Sequence, residues 1–244
     1  MKHYLLFAFI FVSLPCFATS SKVATGDNWP PYSDKSLPGY GISTQIVQAV
    51  FDQMGEPLEL EWAPWKRTFV DTTRNLYLGA FPFAKNPERE KKVFFSDPIV
   101  VDKTLYFTRA DETLDFGNVS SHKKTMICRP IGYYVDFLKD DIGAGRIVLE
   151  RAEDLKGCFK MLQRRPEVKA VVVLDLVGWA YIKKEAWLDP KKFKSFNNNV
   201  LAESKFYFVV GKTRPKAQSF LEKFNRALGQ IKSNQQYSKI VSGI

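Results

Sequence analysis

The residues best suited to chemistry are one arginine, two tryptophans and a few acids. Arg89 stands in FPFAKNPEREKKVFFSDPI (residues 81–99), a short charged turn between two apolar runs. A planar guanidinium fixed in such a turn can hold a carboxylate through two parallel hydrogen bonds. Trp29 lies in a turn beside Pro30-Pro31, and Trp65 opens a helix directly after Pro64. Taken singly, each tryptophan fits a structural role. Together with Arg89 they suggest a lined pocket, with flat apolar walls around one cation.

Other chemistries lack their residues. Beyond the N-terminal segment the single histidine is His122, in the polar stretch SSHKK, where a surface loop is expected. The sequence has no GxSxG or HExxH, no Cys/His set at metal-ligand spacing and no glycine-rich phosphate loop after a strand. Neither a metal nor a cofactor is therefore expected, and no catalytic residue is assigned. An enzyme would have to call on Asp27, Glu61 or Asp175 as its acid or base.

The elements that must position these residues follow from periodicity. Lys22 to Thr25 reads as a strand, and WPPYS as a turn. Ile46, Val47, Val50, Phe51 and Met54 mark one helical face, with Ser43 as the expected N-cap and Gly55 as the stop. Residues 58–62 alternate as a strand, 66–75 read as helix and 77–83 as a buried strand. The pattern then begins again: strands at 104–108, 125–128, 147–149, 170–174 and 206–210, with helices at 133–139, 153–164 and 175–184 and a long last helix from Ala217 to Ile231. Two successive β-α series predict two α/β lobes, each with a mainly parallel sheet. Ligands of such sheets bind beyond the carboxyl ends of the strands, which brings the loops at 26–32, 81–89, 129–134 and 174–176 into play.

The N-terminus sets the compartment. Lys2 supplies a positive charge, Leu5 to Leu14 is an apolar run, and Pro15 breaks it before Cys16-Phe17-Ala18. That layout predicts a signal peptide over residues 1–18 and a periplasmic protein; the run falls short of the roughly 20 apolar residues that cross a bilayer. Lipidation of Cys16 is the alternative, with Pro15 arguing against it. Export leaves Cys128 and Cys158 as an even pair in an oxidising compartment, and joining them would contribute roughly 3–4 kcal/mol. The other reading is two buried thiols, since Cys158 shares an apolar helical face with Leu155, Phe159 and Leu162.

Lysine and arginine number 36 against 26 acids, a net charge of +10. The excess is scattered in pairs such as Lys91-Lys92, Arg164-Arg165 and Lys191-Lys192. Nucleic-acid binders concentrate charge in a stripe or helix, so no nucleic-acid partner is expected. A solvated basic surface with a general attraction for anions fits better.

The segments TGDNWPPYS, PGYGISTQIVQAVFDQMG, LELEWAPWKR and PEREKKVFFSDPI, in this order, resemble the family 3 extracellular solute-binding proteins, the periplasmic receptors of polar amino acid ABC transporters. The resemblance covers essentially the whole mature chain. It implies the type II periplasmic-binding-protein fold, an α/β molecule whose two lobes are joined by two hinge strands and close on a ligand. Lobe 1 would comprise residues 19–102 and 206–244 and lobe 2 residues 103–205, with crossovers near 101–104 and 202–206. Carried over residue by residue, Arg89 matches the arginine that grips the ligand's α-carboxylate. Trp65 matches the aromatic that covers the ligand, Trp29 another aromatic in the loop after the first strand, and Asp27 an acid in that loop. Arg129-Pro130-Ile131-Gly132-Tyr133-Tyr134 takes the place of the second-lobe loop whose glycine and hydroxyl residue meet the carboxylate from the opposite side.

The departures matter equally. Phe81, Pro82 and Ala84 stand where the family offers hydroxyls, so Ala84 holds a ligand-contacting position without one, and Pro82 has no N–H to donate. The family's amine-binding aspartate falls at Leu174 by simple spacing, with Asp175 next to it. The expectation is a monomer that captures a small carboxylate-bearing solute for a membrane permease. The rival functions are a dehydratase-type lyase on the same scaffold and a sensory protein signalling to a membrane receptor.

Overall fold

Leu58 and Leu60 alternate with Glu59 and Glu61 because residues 58–62 form an edge strand with one half-buried face. In the computed structural model, which describes residues 21–118 and 123–243, the strands are β1 (Ser21–Thr25), β2 (Leu58–Trp62), β3 (Gly79–Ala84), β4 (Val93–Arg109), β5 (Thr125–Pro130), β6 (Ile147–Ala152), β7 (Val168–Leu174), β8 (Phe193–Ser195) and β9 (Ala202–Gly211). The helices are α1 (Ile42–Met54), α2 (Trp65–Thr73), α3 (Pro87–Glu90), α4 (Lys139–Gly143), α5 (Leu155–Arg164), α6 (Asp175–Lys184), α7 (Ala217–Ser233) and α8 (Gln236–Ser242). The expected signal peptide, Cys16 and His122 lie outside the described residues.

The strands hydrogen-bond in the order β2-β1-β3-β9-β4-β7-β5-β6, with β8 added on β4. Strands β2, β1 and β3 are parallel, as are β7, β5 and β6. Two antiparallel strands, β4 and β9, join these groups. Both continue from one group into the other, with Val101 opposite Lys205, Asp102 opposite Ser204 and Thr104 opposite Ala202. The fold is thus α/β with two parallel groups, as the two β-α series predict.

Each group carries its own apolar packing. Around β1 and β3, helices α1 and α7 bury Ile46, Val50, Phe51, Leu221, Phe224 and Leu228. The Phe208 and Phe224 rings stack there with centroids 4.7 Å apart. Around β5 and β7, Leu105, Val171 and Val173 pack against Phe159 and Leu162 of α5. A disulfide joins Cys128 of β5 to Cys158 of α5, both fully buried, across a Cα separation of 5.4 Å that suits a bridge.

Two local expectations are corrected. Ser43 is not the N-cap of α1; Gly41 is, with φ 95 and ψ 170, and Ser43 lies inside the helix. Residues 133–139 do not form a helix: a loop runs to a one-turn 3-10 helix at Asp136–Leu138, and α4 begins only at Lys139. Val135, with φ −131 and ψ 0, is outside the helical region, and the Tyr134 carbonyl before it accepts from Arg129 Nε at 2.9 Å.

Candidate solute-binding cleft

The loop after β1 and the start of α2 make one aromatic wall. An added Cβ at Gly26 would lie 2.2 Å from ring carbons of Trp65, so glycine is what lets that indole lie flat on the strand end. Trp65 Nε1 donates to the Asp27 carbonyl at 3.1 Å and fixes the ring. Trp29 meets Trp65 edge-on with centroids 5.5 Å apart, and Trp65 meets Phe83 in the same manner at 6.0 Å. Phe69 continues the belt at 5.5 Å from Phe83.

Arg89 ends this belt. Asn86 caps α3 by accepting the Arg89 N–H at 2.9 Å, which sets the backbone of the turn. The guanidinium carbon lies 5.2 Å from the Phe83 ring centroid and 5.8 Å from that of Phe69. Nη1 donates to the Ala84 carbonyl at 2.7 Å. Four other charges of the turn answer one another, Lys91 with Glu88 at 2.8 Å and Lys85 with Glu90 at 3.9 Å. Among the described residues Arg89 has no carboxylate partner. Partial burial moves its pKa downward. The result is a half-buried cation with directed donors left over, beside flat apolar rings. Ala84 serves the site through its carbonyl, which anchors Arg89.

Asp27 is placed differently from an open acid. Its Oδ1 accepts the backbone N–H groups of Asn28 and Lys35, both at 2.9 Å, and these bonds with Lys35 hold its pKa below the usual value. Its side chain orders the loop while its carbonyl positions Trp65. Glu61 lies on the edge strand β2, in register with Ala24.

On the other side, Gly132 has φ 81, and Tyr133 and Tyr134 are exposed. Arg129 lies beneath this loop, buried. Asp175 is the first residue of α6, half-buried, and Leu174 beside it packs toward the first apolar core. Burial raises the Asp175 pKa, opposed by hydrogen bonds from the Ser195 and Trp179 side chains and by the Lys103 charge. One of its oxygens is buried and unpartnered.

Sequence reasoning missed the residues that tie the two sides. Tyr32, fully buried, donates its hydroxyl to Asp102 Oδ2. Asp102 Oδ1 accepts the N–H groups of Lys103 at 2.7 Å and Leu176 at 3.2 Å. One carboxylate in β4 therefore links the loop after β1 to the start of α6. The available signal was a charge interrupting an apolar strand, PIVVDKTLYF. Burial raises the Asp102 pKa from its ordinary 3.8, although the three hydrogen bonds oppose it. The folded state thus keeps this proton to higher pH than the unfolded chain, and stability declines as pH rises from about 3.8 through the raised value. Tyr32→Phe is expected to cost about 1.5–3 kcal/mol at a pH above the raised Asp102 value, where an ionised buried carboxylate loses a donor, and less at a pH below it. Urea denaturation at both pH values checks this; an equal loss at each would mean that Asp102 ionisation is not what Tyr32 supports.

The family model for bacterial extracellular solute-binding proteins, family 3, matches residues 21–243. The chain belongs to this family. Solute-binding proteins of solved structure share its fold. The L-cystine solute receptor of Neisseria gonorrhoeae, unliganded and open, aligns with a TM-score of 0.76 at 15% identity, covering 91% of this chain and 90% of that one. Substrate-binding domain 2 of GlnP from Lactococcus lactis, also open, gives 0.73 at 14% identity over 91% and 94%. An ancestral cationic amino acid solute-binding protein gives 0.68 at 18% identity over 92% and 94%. A search of curated proteins found no match. The type II periplasmic-binding-protein fold expected from the motifs is thereby shown. In this solute-binding protein, no helix among the described residues is long and apolar enough to cross a membrane, and no described group of acids, histidines or cysteines is arranged to hold a metal.

Proposed function

We propose that this solute-binding protein captures a small carboxylate-bearing solute of the amino acid class between two closing lobes, and passes it to an ABC-type permease. The observation that carries this reading is Arg89, a half-buried guanidinium braced by Ala84 on the Phe83 and Phe69 rings and unpaired with any described acid. Trp65 and Trp29 supply the apolar surface against which the solute lies. Gly132, Tyr133, Tyr134 and Asp175 meet it from the second lobe. The names of the structural relatives, which include an L-cystine receptor and a cationic amino acid binding protein, support the amino acid class. In this reading residues 1–18 direct export to the periplasm, the mature protein acts as a monomer, and its role is binding without turnover.

Closure takes place where β4 and β9 run side by side between the groups. Lobe 1 is then residues 19–102 with 206–244, lobe 2 is residues 103–205, and the strands flex near 101–104 and 202–206. A thermal-shift panel of amino acids, organic acids and amines on the exported protein tests the solute class. A ligand at about 100 times its Kd stabilises by about 2.7 kcal/mol, a rise of several degrees in midpoint. Small-angle scattering of the best hit should show a smaller radius of gyration when bound. Stabilisation by amines alone, or an unchanged scattering profile at saturation, would count against this reading.

A further inference from the structure

The second lobe holds a buried cation that no described acid answers. Arg129 is 5% exposed at the end of β5. Its guanidinium sits between the rings of Tyr133 and Phe137, 5.3 and 5.0 Å from their centroids. Nε donates to the Tyr134 carbonyl and Nη1 to the Val172 carbonyl, each at 2.9 Å. Both acceptors are neutral, and Nη2 has no acceptor among the described residues. Beside it in the parallel register of β5 and β6 stands Arg151, whose side chain makes one hydrogen bond among the described residues, a long contact of 3.5 Å to the Tyr133 carbonyl. Neither arginine forms an ion pair with a described carboxylate. Asp154, the acid whose charge reaches Tyr133, is engaged in capping α5 through the Gly157 N–H at 2.8 Å.

Like charges in register on neighbouring strands repel, and a buried guanidinium satisfied only by neutral carbonyls is a cost to the fold. Burial, with the Arg151 charge beside it, pushes the Arg129 guanidinium down to about 10. An anion placed on the pair would relieve both costs. Strands β5 and β7 are parallel, so the loop over Arg129 lies at the same end of the sheet as the start of α6, where the Leu176 N–H reaches Asp102 and through it Tyr32 of the first lobe. We propose that Arg129 and Arg151 form a second anion-binding centre in the cleft, and that the solute carries two acidic groups, one held by Arg89 and one held here. This deepens the reading of Arg89 as a carboxylate receptor and rests on it.

Calorimetry with matched acids and amides separates the two centres: glutamate with glutamine, aspartate with asparagine, and glutarate with its monoamide. In at least one pair the wild-type protein is expected to bind the acid about 100-fold more tightly than the amide. Arg151→Gln, which spares the carbonyl bonds of Arg129, should cut that preference about 10-fold or more while leaving amide affinity within about 3-fold, and Arg129→Lys should cut the preference by at least as much. An amide that binds as tightly as its acid would overturn the second centre. So would an acid preference that survives in both folded variants. In either case, continued loss of binding in Arg89→Ala would leave the first centre standing. Binding of none of the six probes would overturn both.

Discussion

Arg89→Ala is expected to weaken solute binding by about 2–5 kcal/mol, roughly 30-fold to several thousand-fold in Kd. The loss exceeds that of an ordinary surface contact because the solute carboxylate would still be taken from water on closure and would find no charged partner. Arg89→Lys should recover only part of it. An ammonium cannot span two carboxylate oxygens in one plane, and it would not keep both the Ala84 carbonyl bond and the solute. The fold should survive either change, since the Arg89 side chain bonds only the Ala84 carbonyl and its caps and neighbours pair among themselves. Calorimetry with a bound carboxylate and its ester, on variants whose thermal midpoints match the wild type, reads the effect directly. Near-normal affinity in Arg89→Ala would return the turn to the status of solvated surface.

Removing the Cys128–Cys158 bridge is expected to lower stability by about 3–4 kcal/mol, since it opens a loop spanning 30 residues. For a chain of this size the thermal midpoint should fall by roughly 10 °C. The double Cys128→Ser, Cys158→Ser variant adds a second cost, because both positions are fully buried among Phe159, Leu162 and Val171 and would receive hydroxyls in place of sulfur. Reduced wild-type protein, which lacks the bridge but keeps the sulfur, isolates the constraint itself. Thermal unfolding of the oxidised, reduced and substituted proteins separates the two contributions. Oxidised and reduced midpoints within a degree of each other would show that α5 is held to β5 by packing alone.

The site was legible wherever a local pattern carried it. Arg89 could be read because it sits in a short charged turn between two apolar runs, in a segment that carries the family resemblance. Trp65 could be read because Pro64 starts a helix at a strand end. Asp27 was legible as a loop residue, but not the bonds its Oδ1 accepts from the N–H groups of Asn28 and Lys35. The helix expected at residues 133–139 is interrupted at Val135, whose φ of −131 lies outside the helical region, while the Tyr134 carbonyl takes a bond from Arg129 of the preceding strand.

By itself the sequence determined the longer periodic elements and the class of fold, because periods of two and near 3.6 record which side chains must face a layer, and that requirement is local; short elements such as α3, α4, α8 and β8 carry too few residues to show a period. It also placed the lone arginine of the turn and the even cysteine pair. Only the tertiary structure decided which charges meet. Asp102 is a stray acid in a strand until chain folding brings Tyr32 and the Leu176 N–H to it. Arg129 and Arg151 are unremarkable until the parallel register of β5 and β6 sets them side by side. Such meetings depend on strand order and register across long crossovers, and no local period in the chain encodes them.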